Sequence, residues 1–168
     1  MSNTEPAGSR RHHYKTRLVW TGGQHPVTSF RNHVRAYEIS SPEKPTIMGS
    51  SDPVFRGDAR RWNPEDLLVA SLSACHKLWY MGLCAAAGIV VLSYEDDAEG
   101  MMMEEPSGAG QFAWVTLRPA VTLAPGSDRQ MAMSLHHKAS ANCFIARSMN
   151  FPVRHEPVVE IAETTSPP

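Results

Sequence analysis

The chain has 168 residues, with sixteen Lys and Arg against seventeen Asp and Glu and a formal net charge of −1. That length suits one domain, and the balanced charge leaves no electrostatic footprint for nucleic acid or an anionic membrane surface. The basic residues near the start (Arg10, Arg11, Lys15, Arg17) are followed by Glu38 and Glu43 and read as a solvated strand face.

Residues 1–10 are polar with Gly and Pro and are expected to form a disordered arm, with 164–168 as a tail. A single domain is expected over 11–163. The first thirty residues contain no apolar run of the signal-peptide kind, so a cytoplasmic protein is expected. Residues 13–20 alternate, with Tyr14, Leu18 and Trp20 on one side, and predict a strand. TGGQHP supplies a turn. Residues 29–40, with Phe30, Val34 and Tyr37 among polar neighbours, predict a second strand, and 42–53 a loop with at most a short strand around Ile47.

A long helix follows. Asn63 suits its N-cap and Pro64 its first position, Glu65 and Asp66 favour the positive end of its dipole, and Gly88 suits a left-handed stop. Its apolar stretch invites comparison with a membrane span, but His76, Lys77 and Gly82 fall inside. A charge near the centre of a span costs several kcal/mol. A core helix buried on most sides is expected. Residues 89–100 then predict a strand, 101–110 an irregular connection in which Met101–Met103 serve packing, and 111–124 a long strand broken near Pro119. Ser127 is the expected cap of a helix over 128–140, and Asn142 of a short helix over 142–149. Residues 153–163 close as a strand. Without regular βαβ alternation, the fold class is α+β.

There are three cysteines, Cys75, Cys84 and Cys143. An odd, small number argues against a disulfide scaffold. On one helix Cys75 and Cys84 stand about 13 Å apart along the axis and about half a turn out of phase, whereas a disulfide needs Cα atoms within about 7 Å. Any intrachain bridge must therefore use Cys143. The eight histidines show no HExxH and join no CxxC, and neither adjacent pair chelates through local spacing. No metal or other cofactor is expected. Cys75 and Cys143 read either as core thiols or as reactive ones. A place near a helix N-terminus would favour thiolate at Cys143.

NPEDLLVASLSACH, residues 63–76, followed by a second cysteine ahead of a short helix, resembles the OsmC/Ohr family of thiol peroxidases. The resemblance implies an intertwined homodimer in which antiparallel sheets wrap around central helices. It implies reduction of organic hydroperoxides with a dithiol reductant of the lipoyl or small-thiol type. Cys75 would be the peroxidatic thiol, Cys143 the resolving one, and Glu65 the carboxylate that fixes a catalytic arginine. Gln24 stands about where relatives carry that arginine, which leaves Arg35, or Arg31, to take its place. Phe144 and Ile145 replace the Pro-Val that follows the second cysteine in many relatives. The alternative is an OsmC-like module that holds an apolar or thiol ligand with little turnover, a reading favoured by Gln24. A His/Cys metal-binding protein is a third.

Overall fold

The computed structural model describes residues 10–23, 27–29 and 31–163. The arm before residue 10, the turn residues Gln24, His25 and Pro26, Phe30 of the expected second strand, and the tail from 164 lie outside the described residues. The chain divides into two compact units, Met1–Pro64 and Glu65–Pro168.

The first unit is built on a three-stranded antiparallel sheet of β1 (Arg17–Trp20), β2 (Tyr37–Ser40) and β3 (Ile47–Gly49), in that order. The first two strands are shorter than their alternating patterns predict. Val34 gives its carbonyl to the Trp20 indole N–H, at 2.6 Å, and so leaves the ladder. Gly49 lies against the Tyr37 ring, where a Cβ would stand 2.0 Å from a ring carbon, so only glycine fits opposite that residue. A 3-10 turn at Pro53–Phe55 is capped by Asp52, whose carboxylate accepts from the Val54 N–H. All four residues of β1 are exposed.

The second unit is organised by α1 (Pro64–Ala86). Gly88, at φ 71°, ends it: the Ile89 N–H donates to the Cys84 carbonyl and the Gly88 N–H to that of Ala85, the paired bonds of a Schellman stop. Two three-stranded sheets follow. One has the order β4 (Val91–Asp96), β7 (Pro119–Leu123), β9 (Val158–Ile161); the other has β5 (Glu99–Glu104), β6 (Gly110–Leu117), β8 (Val153–His155). Each sheet joins an antiparallel pair to a parallel one.

The chain passes directly from a strand of one sheet to a strand of the other at β4–β5, β6–β7 and β8–β9, and Arg118, which forms the second of these junctions, binds acids at the other two. Its backbone N–H donates to Asp96 at 2.7 Å, and its guanidinium pairs with Glu99 at 3.0 Å and Glu156 at 3.3 Å. Pro119, which has no N–H to give a ladder, begins the new strand as its sequence position predicts. Met101–Met103, expected to be irregular, lie in β5 opposite Trp114, Phe112 and Gln111. Their local sequence carries no strand signal; the partner strand supplies it.

α2 (Arg129–Asn142) is capped by Asp128, not Ser127: the Asp128 carboxylate accepts from the Met131 N–H at 2.9 Å. α3 (Phe144–Arg147) is capped by Cys143 itself, not Asn142, its sulfur accepting from the Ala146 N–H at 3.4 Å. Along α1 the buried residues are Leu72, His76, Tyr80 and Cys84. Leu72 clusters with Val115 and Leu117, while Tyr80 and Cys84 cluster with Val121, Leu123, Val159 and the Ala132, Leu135 and Ala139 face of α2. α1, long and apolar enough to cross a membrane, is thus the core helix of this unit. It is not buried on most sides, however. Ala70, Ala74, Leu78 and Gly82 form an exposed stripe in which Leu78 is 66% exposed.

One polar feature runs through the core. His76 of α1 and His136 of α2, 1% and 0% exposed, share a hydrogen bond between Nε2 and Nδ1 at 3.0 Å. Tyr80 stacks on His136 with ring centroids 3.8 Å apart, and His155 of β8 lies against His76. Burial holds both imidazoles neutral. It pushes His76 down to about 4 and His136 down to about 3, and the charges of neighbouring histidines add to the effect.

The unfolded chain takes up these protons first, so the stabilisation is complete above pH 6.5 and is lost as pH falls towards 4. His76 alone contributes about 3 kcal/mol to that slope. Denaturant unfolding at pH 7 and 4.5 checks this: His76→Phe/His136→Phe should lose much less stability than wild type between the two. An equal loss contradicts it.

Candidate active site

Cys75 and Cys143, separated by 67 residues in sequence, meet in the second unit. α1 presents Cys75 half-buried at mid-helix, and the junction of α2 and α3 presents Cys143 at 1% exposure. Both are free thiols, and the two sulfurs are close neighbours. Cys143 is pushed up to about 11, first by burial and then by the neighbouring Cys75 thiol, against the smaller opposing effect of the Ala146 and Ile145 N–H groups. The expectation that a helix N-terminus would favour thiolate at Cys143 is therefore reversed. α3 is a single short turn, and desolvation outweighs its dipole. The arrangement places a protonated thiol beside a more accessible sulfur.

A groove of about 770 Å³ opens at Cys75, lined by Leu78, Trp79, Gly82 and Leu83 of α1 and by Phe144 and Ile145. Trp79 and Phe144 meet edge to face, 5.7 Å between centroids, and join α1 to α3 as one wall. Phe144 and Ile145, the departures from the Pro-Val of many relatives, thus line the groove. Ser71, one turn before Cys75, is the hydroxyl in this lining, and it donates to the Leu68 carbonyl at 2.7 Å.

The other expected site residues are Glu65, Arg35 and Arg31. Glu65 begins α1, about 15 Å along the axis from Cys75. Its Oε2 is buried and has no hydrogen-bond partner among the described residues. Arg35 and Arg31 belong to the first unit, where Arg35 Nη1 donates to the His33 carbonyl at 2.9 Å. Cys84 is 1% exposed and packs in the core beside Tyr80, where burial pushes its thiol up. Among the described residues no three His, Cys, Asp or Glu side chains are placed to hold a metal ion.

The sequence reading did not find the convergence of His76, His136, His137 and His155. The available signal was positional. His76 falls on the buried stripe of α1, and His136 on the same face of α2 as Ala139 and Cys143.

Residues 57–157, more than half of the chain and inclusive of both thiols, match the family described as OsmC-like protein. Among solved structures, an OsmC-like protein of unknown function from Vibrio cholerae is 27% identical, with a TM-score of 0.80 over 88% of this chain and 100% of that one. An organic hydroperoxide resistance protein from Elizabethkingia anophelis, solved with crystallant-derived thiocyanate bound, is 19% identical, with a TM-score of 0.64 over 91% of this chain and 100% of that one. The organic hydroperoxide resistance protein OhrB of Bacillus subtilis is 21% identical, with a TM-score of 0.59 over 86% and 98%. These last two share the fold. Comparison with curated protein sequences gives no match. With the family motif at 63–76 seated on α1 and the second cysteine brought against the first, the chain belongs to the OsmC-like protein family.

Proposed function

We propose that the protein reduces organic hydroperoxides with Cys75 as the peroxidatic thiol and Cys143 as the resolving one. The observation that carries this reading is the pair of neighbouring thiols, one of which, Cys75, lines an apolar groove. In the reaction, Cys75 thiolate attacks the distal oxygen of ROOH, the O–O bond breaks, and Cys75–SOH and RO⁻ result. The alkoxide takes up a proton to give ROH. The Cys143 thiol condenses with the sulfenic acid to a disulfide, its proton leaving with the hydroxyl as water. Exchange with a dithiol of the lipoyl or small-thiol type restores both thiols. The free state of all three cysteines suits a reducing, cytoplasmic setting.

The groove favours a substrate with a hydrocarbon tail. Each methylene removed from water contributes about 0.8 kcal/mol, so three give on the order of fiftyfold. Cumene hydroperoxide should be reduced at least tenfold faster than hydrogen peroxide, and Cys75→Ser should abolish both activities. Equal rates for the two peroxides contradict the role of the groove. Binding without turnover would favour the ligand-holding module instead. Arg35→Ala and Arg31→Ala, assayed side by side, identify the guanidinium that assists Cys75.

The assembly proposed with this chemistry is a homodimer. The exposed Ala70, Ala74, Leu78 and Gly82 stripe, part of which lines the groove, is suited to α1 of a second copy packed antiparallel about a two-fold axis, so that the partner helix would form the groove's open wall. A glutamate side chain does not span about 15 Å, so Glu65 is assigned to the site of the partner's thiol, which would supply its orphaned Oε2 with company. Mixed dimers of Glu65→Ala and Cys75→Ser chains should then regain one intact site and about half of wild-type activity. Inactive mixed dimers mean that the sites are not shared.

A further inference from the structure

The proposed chemistry uses Cys75 and Cys143 and gives no part to His76 and His136, two of the most deeply buried polar side chains. His76 follows Cys75 directly, so one turn of α1 carries both, about 100° apart. His136, Ala139 and Cys143 stand three and then four residues apart on α2 and its C-cap, and each is at most 1% exposed. The two helices therefore meet at two polar points: sulfur against sulfur, and Nε2 of His76 against Nδ1 of His136 at 3.0 Å. About 10 Å of α2 separates these points.

The sulfur contact changes at every redox step, from two neighbouring thiols to a sulfenic acid to a bond of about 2.05 Å. The imidazole contact has no such reason to change. It is also braced from both sides. Tyr80 of α1 stacks on His136, and His155 of β8 packs against His76 while sharing a hydrogen bond with His137 of α2 at 3.3 Å.

We propose that His76 and His136 are positioning residues for disulfide formation, their hydrogen bond holding α1 against α2 so that Cys143 stays in bonding range after Cys75 is oxidised. The proposal rests on the peroxidatic reading of Cys75. In the productive branch, Cys75–SOH and Cys143–SH give the disulfide and water. When Cys143 is out of range, a second hydroperoxide intervenes, and Cys75–SOH and ROOH give Cys75–SO₂H and ROH. The latch decides between the two branches.

Three variants test it. His136→Phe keeps a ring on Tyr80 but removes the bond. His76→Phe/His136→Phe removes both polar ends, so no buried nitrogen of the pair is orphaned, which protects folding. His136→Asn places an amide where Nδ1 stood and keeps the bond. Two readouts are taken on each: the ratio of sulfinic acid to disulfide under excess cumene hydroperoxide, by mass spectrometry, and the equilibrium constant of the Cys75–Cys143 disulfide in a glutathione buffer, which needs no peroxide.

Both Phe variants should lower that constant about tenfold or more, as the effective concentration of one thiol at the other falls, and raise the sulfinic fraction in parallel. His136→Asn should stay within about threefold of wild type, a rescue that a mere packing role does not predict. Constants equal to wild type in both Phe variants overturn the proposal, as does an Asn variant as impaired as they are. If the glutathione pattern holds while wild type reacts with no hydroperoxide, the peroxidase reading fails and the latch stands.

Discussion

Two neighbouring residues of α1 have opposite requirements. Cys75 faces an apolar groove, and His76 is buried against another imidazole. A helix meets both demands because successive side chains diverge by about 100°, but only if the helix cannot rotate about its axis. The core supplies that restraint. Leu72, His76, Tyr80 and Cys84 form one buried stripe, held by Val115 and Leu117 on one sheet and by Val121, Leu123 and Val159 on the other. A rotation that drew Cys75 inward would drive the imidazole out of its pair and the Tyr80 ring off its stack.

The second thiol is governed by the same packing. Cys143 ends α2 and caps α3, so its position follows from how α2 lies on the core through Ala132, Leu135 and Ala139. Burial then keeps its proton in place. The result is an asymmetric pair, in which one sulfur is open to the groove and the other is shielded and protonated. On the proposed function, such a pair distinguishes a thiol that would meet oxidant from one that would answer it. The aromatic wall of Trp79 and Phe144 ties the middle of α1, which carries Cys75, to the start of α3, which Cys143 caps.

Much of this was legible in the residue string, where local chemistry decides. The start of α1 at Pro64, its stop at Gly88 and the break at Pro119 each follow from a residue whose backbone preference admits little else. Cys75 and Cys143 were singled out by a motif and by the exclusion of a Cys75–Cys84 bridge. What escaped depends on partners distant in sequence. Met101–Met103 became strand because β6 lies beside them. The second strand starts late, at Tyr37, with the Val34 carbonyl accepting from the Trp20 indole N–H. The thiolate expected at Cys143 yielded to a burial that no local pattern reports. The four histidines, spread over residues 76–155, are brought together by the packing of α1, α2 and β8.

The central claim is that Cys75 and Cys143 act as one redox unit while Cys84 is structural. Thiol counting with peptide mapping, before and after one equivalent of cumene hydroperoxide, tests it most directly. The account predicts that three free thiols become one, that the remaining thiol is Cys84, and that the new bond joins Cys75 to Cys143 within one chain. A bridge that includes Cys84, bridges formed only between chains, or three thiols left unchanged would contradict it.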